Sequence, residues 1–270
     1  AKEYLQNIIT NDINKVSDSS SIFAALLSPQ GKYLFDFFVI KNDGGYLLDC
    51  DGNSVKNLID NLSKYKIRSK VEITDLSSSY VVGIMHYENF KMIQKEQNKE
   101  QLTLHFRDSP IFVDPRDNDL GARIISPLEK LYLTIKRLNL KIVENNSYIK
   151  KAFLKGIPIE GLNSLQNQVF GLEINYEKLN AIDFKKGCYV GQENTARMKL
   201  KNKIRRKLMS IKTEKSVKIG DEIKFNDNVI GKILIDKPYP FALIKLFDPE
   251  FSMFKDKTLK INNDDVEIIS

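Results

Sequence analysis

The run Lys185-Lys186-Gly187-Cys188-Tyr189-Val190-Gly191-Gln192-Glu193 places a soft nucleophile between two glycines, with lysines just before it and Arg197 shortly after. A free thiol has a pKa of about 8.5, so only a few per cent is thiolate at neutral pH. Nearby cations favour the thiolate. The glycines let the backbone turn tightly or approach a ligand closely. This combination suits an accessible, nucleophilic or soft-metal-binding cysteine. The same residues suit a small buried hydrophobe beside a structural turn. Spacing leaves both readings open.

The rest of the chain offers Cys188 little help. Cys50 is the only other cysteine. That excludes a disulfide framework or a structural zinc site. It also excludes a self-sufficient iron–sulfur cluster, which takes about four thiolates. The expectation is therefore a chain without a stably bound metal or cluster. His86 and His105 read as ordinary strand residues. Asp36 shares a strand face with Leu34, Phe38 and Ile40. A carboxylate there is costly unless paired, so it marks either a functional site or a structural pair with a base such as Arg123. Arg116 and Arg123 suit either an anion or the pinning of loops. Lys199, Lys201, Lys203, Arg205, Arg206 and Lys207 form a basic run that suits RNA backbone, an acidic partner, a polyglutamate tail or plain solvent. Tyr189 is the only aromatic residue near it, short of the stacking platform of single-strand readers.

These residues need a scaffold. The 270 residues are 42% hydrophobic and 29% charged, with net charge +7, enough apolar content for a real core. No apolar run reaches the roughly 20 residues of a membrane helix. Ala1-Lys2-Glu3-Tyr4 reads as already inside a structured segment; no signal peptide is visible there, and one removed beforehand stays open. The expected setting is the bacterial cytoplasm. Strands are predicted at Phe23–Leu27, Tyr33–Ile40, Tyr46–Asp49, Lys70–Asp75, Tyr80–Met85, Leu102–Arg107 and Ile111–Asp114. A helix carries Val55, Leu58, Ile59, Leu62 and Tyr65. Gln94–Gln101 reads as an exposed connection, and Pro127–Leu140 and Ser147–Lys155 read as helices. After residue 205, short strands with turns between them predict a small β-barrel. The fold class is α+β: a body over residues 1–205, of two subdomains, and a C-terminal barrel over 206–270.

Lys186-Gly187-Cys188-Tyr189-Val190-Gly191-Gln192-Glu193 resembles the signature of the YgfZ-type folate-binding-like proteins and of their mitochondrial relatives in iron–sulfur maturation. Tyr4–Asp12, Leu26–Phe37 around Pro29-Gln30-Gly31-Lys32, Asp114-Pro115-Arg116 with Leu120-Gly121-Ala122-Arg123, and Gly156-Ile157-Pro158 are similar to further segments of that family, in the same order. Gly220-Asp221 and Ile230-Gly231 fall where its barrel is expected. The resemblance implies an aminomethyltransferase-like architecture with its domains around a central channel. It implies an accessory factor for assembly or repair of 4Fe–4S proteins, linked to folate and indirectly to tRNA thiomodification, with Cys188 as the reactive thiol. The implied partners are assembly scaffold or carrier proteins and 4Fe–4S client enzymes, without membrane or direct nucleic acid. Asp36, Arg123, Tyr189, Gln192, Glu193 and Arg197 are the folate contacts it suggests. A folate-dependent one-carbon transferase and a direct tRNA-binding protein are the alternatives.

The chain departs from the aminomethyltransferases two positions before Gly156. There they carry an acidic residue that grips the pterin ring, and here Leu154 stands. Ala152 replaces a base often found two places earlier. A missing charge-assisted contact costs on the order of 2 kcal/mol. Tetrahydrofolate is therefore expected to bind weakly, and catalysis of its own is not expected.

Overall fold

The computed structural model describes residues 1–66, 69–201 and 204–269, which form two compact units. The first contains residues 1–26, 35–144 and 177–190, and the second contains 27–34, 145–176 and 191–270.

The first unit opens with α1 (Lys2–Ile8) and holds all but the Leu27 end of β1 (Ile22–Leu27), all but the Tyr33–Leu34 start of β2 (Tyr33–Asn42), and β3 (Gly45–Asp49), a three-stranded sheet in the order β1-β2-β3. α2 (Val55–Lys64) buries Leu58 and Leu62 at helical spacing. A second, antiparallel sheet has the order β4-β7-β6-β5, from β4 (Val81–Met85), β5 (Thr103–Phe106), β6 (Ser109–Val113) and β7 (Ala122–Ser126). α3 (Tyr87–Gln97) lies between β4 and β5 in the chain, and α4 (Leu128–Arg137) follows β7. Met85, Phe90, Ile93, Leu104, Ile111, Val113 and Ile124 make one core beneath the second sheet. Phe38 on β2 meets Phe112 on β6 at 5.6 Å between ring centroids.

Two local expectations fail for identifiable reasons. Gln94–Gln101 is not all connection: α3 reaches Gln97, because Phe90 and Ile93 fully bury one turn apart. Asn98, at φ 54°, then ends the helix in the left-handed region that asparagine tolerates. Lys70–Asp75 makes no strand. Its hydrogen bonds are local, from Val71 N to Ser69 O and from Ser77 N to Asp75 Oδ1, and alternation without a partner strand forms no ladder.

The second unit holds α5 (Asn146–Leu154), α6 (Gln192–Leu200) and a closed six-stranded barrel. The barrel order is β10-β11-β8-β13-β12-β9, from β8 (Arg206–Thr213), β9 (Glu222–Phe225), β10 (Asn228–Ile235), β11 (Phe241–Lys245), β12 (Leu259–Ile261) and β13 (Asp264–Ile268). This is the expected C-terminal barrel, and closure leaves it no open sheet edge. Ile211, Ile223, Ile230, Ile233, Ile244, Phe254 and Leu259 fill its interior. Among the described residues, no helix is long and apolar enough to cross a membrane.

Candidate functional site

Cys188 is exposed and lies in no helix or strand, so it is not a buried hydrophobe. Its neighbours at both sides are buried: Lys186 is 7% and Tyr189 8% exposed. The Lys186 ammonium donates to three backbone carbonyls, Gln6 O at 2.7 Å, Ile9 O at 2.6 Å and Asn11 O at 2.9 Å. Its position explains why a lysine can be buried here. The last carbonyls of a helix lack intrahelical partners and carry partial negative charge. α1 has no basic residue in its own last turn. Lys186 supplies that cation from far along the chain. It also lies 5.1 Å from the Tyr189 ring centroid, within cation–π range. Burial pushes its pKa down to about 8, against the upward pull of Asp12 and Asp183.

Further bonds join the same two segments. Thr10 Oγ1 donates to Ala181 O at 2.6 Å, Asn11 Nδ2 to Asn180 O at 2.7 Å, and Asp183 N to Thr10 O at 3.1 Å. Lys15 pairs with Asp183 at 2.8 Å. Thr10 and Asn11 are almost fully buried. Two motifs that the sequence shows far apart, Thr10-Asn11-Asp12 and the Cys188 run, are thus one structure. Sequence reading missed the part played by Thr10 and Asn11. The available signal was a polar Thr-Asn-Asp directly after the apolar Ile8-Ile9.

The two glycines beside Cys188 differ. Gly187 is exposed, its φ is outside the left-handed region, and a Cβ added there would have no atom within 4 Å. Gly191 belongs to the second unit, where it starts α6 at φ +82°; a Cβ there would lie 2.5 Å from Ser28 O and 3.0 Å from the Cα of Gly31. Asn194 Nδ2 donates to Gln30 O at 2.8 Å, so the Pro29-Gln30-Gly31 turn and the start of α6 are packed together. Gln192 is half-buried, whereas Glu193 and Arg197 form an exposed i,i+4 pair at 3.0 Å.

Asp36 and Arg123, expected with these as folate contacts, lie in the first unit. Arg123 pairs with Asp49 at 2.8 Å and stacks over Phe38 at 4.6 Å. Arg116 pairs with Asp114 at 2.7 Å and covers the other neighbourhood of Phe38 at 4.8 Å. All four charged side chains are largely buried; the Arg116–Asp114 pair lies within the connection between β6 and β7, and the Arg123–Asp49 pair joins β7 to the end of β3. Asp36 is half-buried on β2. Its charge, with those of Asp49, Asp51 and Asp75, adds to burial in pushing the Cys50 thiol up to about 12. Among the described residues, no three His, Cys, Asp or Glu side chains are grouped as a metal would need.

In the second unit, Leu154 ends α5 half-exposed, so no carboxylate is offered at that position. Within the basic run, Arg206 is bound to the buried Glu173 at 2.9 Å, while Lys199, Lys201 and Arg205 are exposed. Lys203 lies outside the described residues. His86 and His105 are exposed, His86 at the start of α3 rather than within a strand.

No family model matches the chain. Three curated proteins named iron–sulfur cluster assembly factor IBA57 homolog, mitochondrial, are similar to it. The one from Dictyostelium discoideum is 28% identical over 255 residues, covering 82% of this chain and 62% of its own length. Those from Mycosarcoma maydis and Neurospora crassa are each 29% identical, over 77% and 93% of this chain and 51% and 56% of their own. The chain thus spans between half and two thirds of the length of these relatives. Their mitochondrial names overturn the expectation of a bacterial cytoplasmic setting. Among solved structures, the glycine cleavage system aminomethyltransferase T of Bartonella henselae matches at a TM-score of 0.72 and 13% identity, over 100% of this chain and 80% of that one. The aminomethyltransferase-like fold expected from the motifs stands, and so does the resemblance they carry: in sequence the chain is similar to mitochondrial iron–sulfur cluster assembly factors.

Proposed function

We propose that this chain is an accessory factor in the assembly or repair of 4Fe–4S proteins, acting through Cys188. The observation that carries the reading is the exposed Cys188 on a segment whose flanks are buried and pinned, in a chain similar over most of its length to iron–sulfur cluster assembly factors. A soft thiolate at such a position can meet iron or a persulfide sulfur offered by another protein. The partners are a scaffold or carrier of the assembly machinery and the client enzymes. Any effect on tRNA thiomodification is indirect, through iron–sulfur enzymes.

Tetrahydrofolate is the finer question that the fold raises. Leu154 stands where the aminomethyltransferases carry the carboxylate that grips the pterin ring, which speaks against a full pterin clamp. Weak binding is expected, and no step is routed through folate. Direct RNA binding draws only on exposed lysines, without stacking aromatics.

The test is complementation. The full chain, expressed in cells deleted for their own factor of this type and directed to the same compartment, should restore the activities of several 4Fe–4S enzymes. Enzymes without clusters should not change. Restoration of none of the cluster enzymes, with the protein soluble and abundant, defeats the proposal.

A further inference from the structure

A lysine two residues from the working thiol invites the assumption that it tunes that thiol electrostatically. The geometry points elsewhere. All three protons of the Lys186 ammonium face carbonyls at 2.6–2.9 Å, within segment 6–11. Its stem is buried, whereas Gly187 and Cys188 directly after it are exposed, and Tyr189 is buried again under the same ammonium. The backbone therefore leaves the protein interior at one fixed point, exposes two residues, and returns at another.

We infer that Lys186 is the positioning residue of Cys188: it fixes the short exposed stretch by docking its ammonium at the C-terminal end of α1. The inference rests on the proposed role of Cys188 only for its biological meaning. The mechanical claim stands separately. Without the pin, two exposed residues including a glycine would sample many conformations, and a partner would have to order them on docking. With it, that ordering is already present. The Thr10, Asn11 and Lys15 contacts hold residues 180–183, and the Asp183 carboxylate also accepts from the Lys185 and Lys186 backbone amides; these contacts reach the start of the exposed stretch but none of them touches Gly187 or Cys188.

Backbone ¹⁵N relaxation of the full chain tests this. In the wild type, the Gly187 and Cys188 amides should have order parameters near those of ordered backbone, about 0.8. In Lys186→Met, which keeps the stem length but removes every donor, they should fall below about 0.6, the flexible range. Thr10→Val, which destabilises the same neighbourhood while leaving the ammonium docked, should not lower them. A wild-type value already below about 0.6 overturns the inference even if Lys186→Met fails to fold. Equal loss in Thr10→Val reduces Lys186 to a general structural contact and overturns it too. The complementation outcome is independent: if Cys188→Ser works fully in cells while Lys186→Met still loosens the stretch, the positioning stands and the role of the thiol falls.

Discussion

Replacing Gly191 and Gly187 separately by alanine separates two residues that look alike in sequence. In Gly191→Ala, a residue with φ +82° acquires a side chain. The left-handed region costs a non-glycine residue about 1–2 kcal/mol. The new Cβ would also lie 2.5 Å from Ser28 O and 3.0 Å from Gly31 Cα, which are backbone atoms that no rotamer change can move. Overpacking of this kind adds about 1–3 kcal/mol. The sum is about 3 kcal/mol. In Gly187→Ala the conformation is not left-handed and the space is open, so stability should change by less than about 0.5 kcal/mol. Urea denaturation followed by circular dichroism reads both variants, with the midpoint carrying the result if the slope is unchanged. A Gly191→Ala cost under about 1 kcal/mol would refute the reasoning, as would a comparable cost at Gly187.

Three further outcomes follow from the same structure. Iodoacetamide on the native protein near neutral pH should modify Cys188 and spare Cys50. Burial, with four nearby carboxylates, pushes the Cys50 thiol to about 12, so its thiolate fraction near pH 8 is on the order of one in 10,000; mass spectrometry showing equal labelling contradicts this. Asp49→Ala leaves the Arg123 guanidinium largely buried beside Phe38 without that carboxylate, and should cost about 3 kcal/mol in denaturant, with a neutral result arguing that the pair is solvated. Tyr4 donates to Leu62 O at 2.6 Å, and burial, with Tyr65 adding, raises it to about 12. The unfolded phenol ionises first, so stability should be intact below pH 10 and fall as pH rises toward 12. Tyr4→Phe should lose about 1 kcal/mol at neutral pH and lack that alkaline component, which denaturation midpoints across the range will show.

The sequence exposed some of this and hid the rest for physical reasons. The barrel was legible because each short strand is a local event, with turns such as Asn226-Asp227 marking its end. Helix α2 was legible because Leu58 and Leu62 bury at helical spacing. Segment 70–75 misled because strand pattern is local while a ladder partner is not. Helix α6 went unseen because it buries little, with Thr195 its only buried residue, and its start depends on Gly191 packed against a turn far away in sequence. At the site, the type of Cys188 and its flanking residues could be read directly. The docking of Lys186 into carbonyls of residues 6–11 could not, since backbone acceptors leave no trace in side-chain identity. The same holds for the Asp49 partner of Arg123, a pairing that follows from which strands are neighbours.

The central claim is that the Cys188 thiol does the work. Cys188→Ser keeps nearly the same shape at an exposed position, so its denaturation midpoint should match the wild type. It exchanges a soft sulfur ligand and nucleophile for a hard hydroxyl oxygen. The decisive measurement is the activity of 4Fe–4S enzymes in cells deleted for their own factor and carrying wild-type, Cys188→Ser or Cys50→Ser protein at equal abundance. The prediction is full support from wild type and Cys50→Ser and none above the empty vector from Cys188→Ser; full support from Cys188→Ser would contradict it.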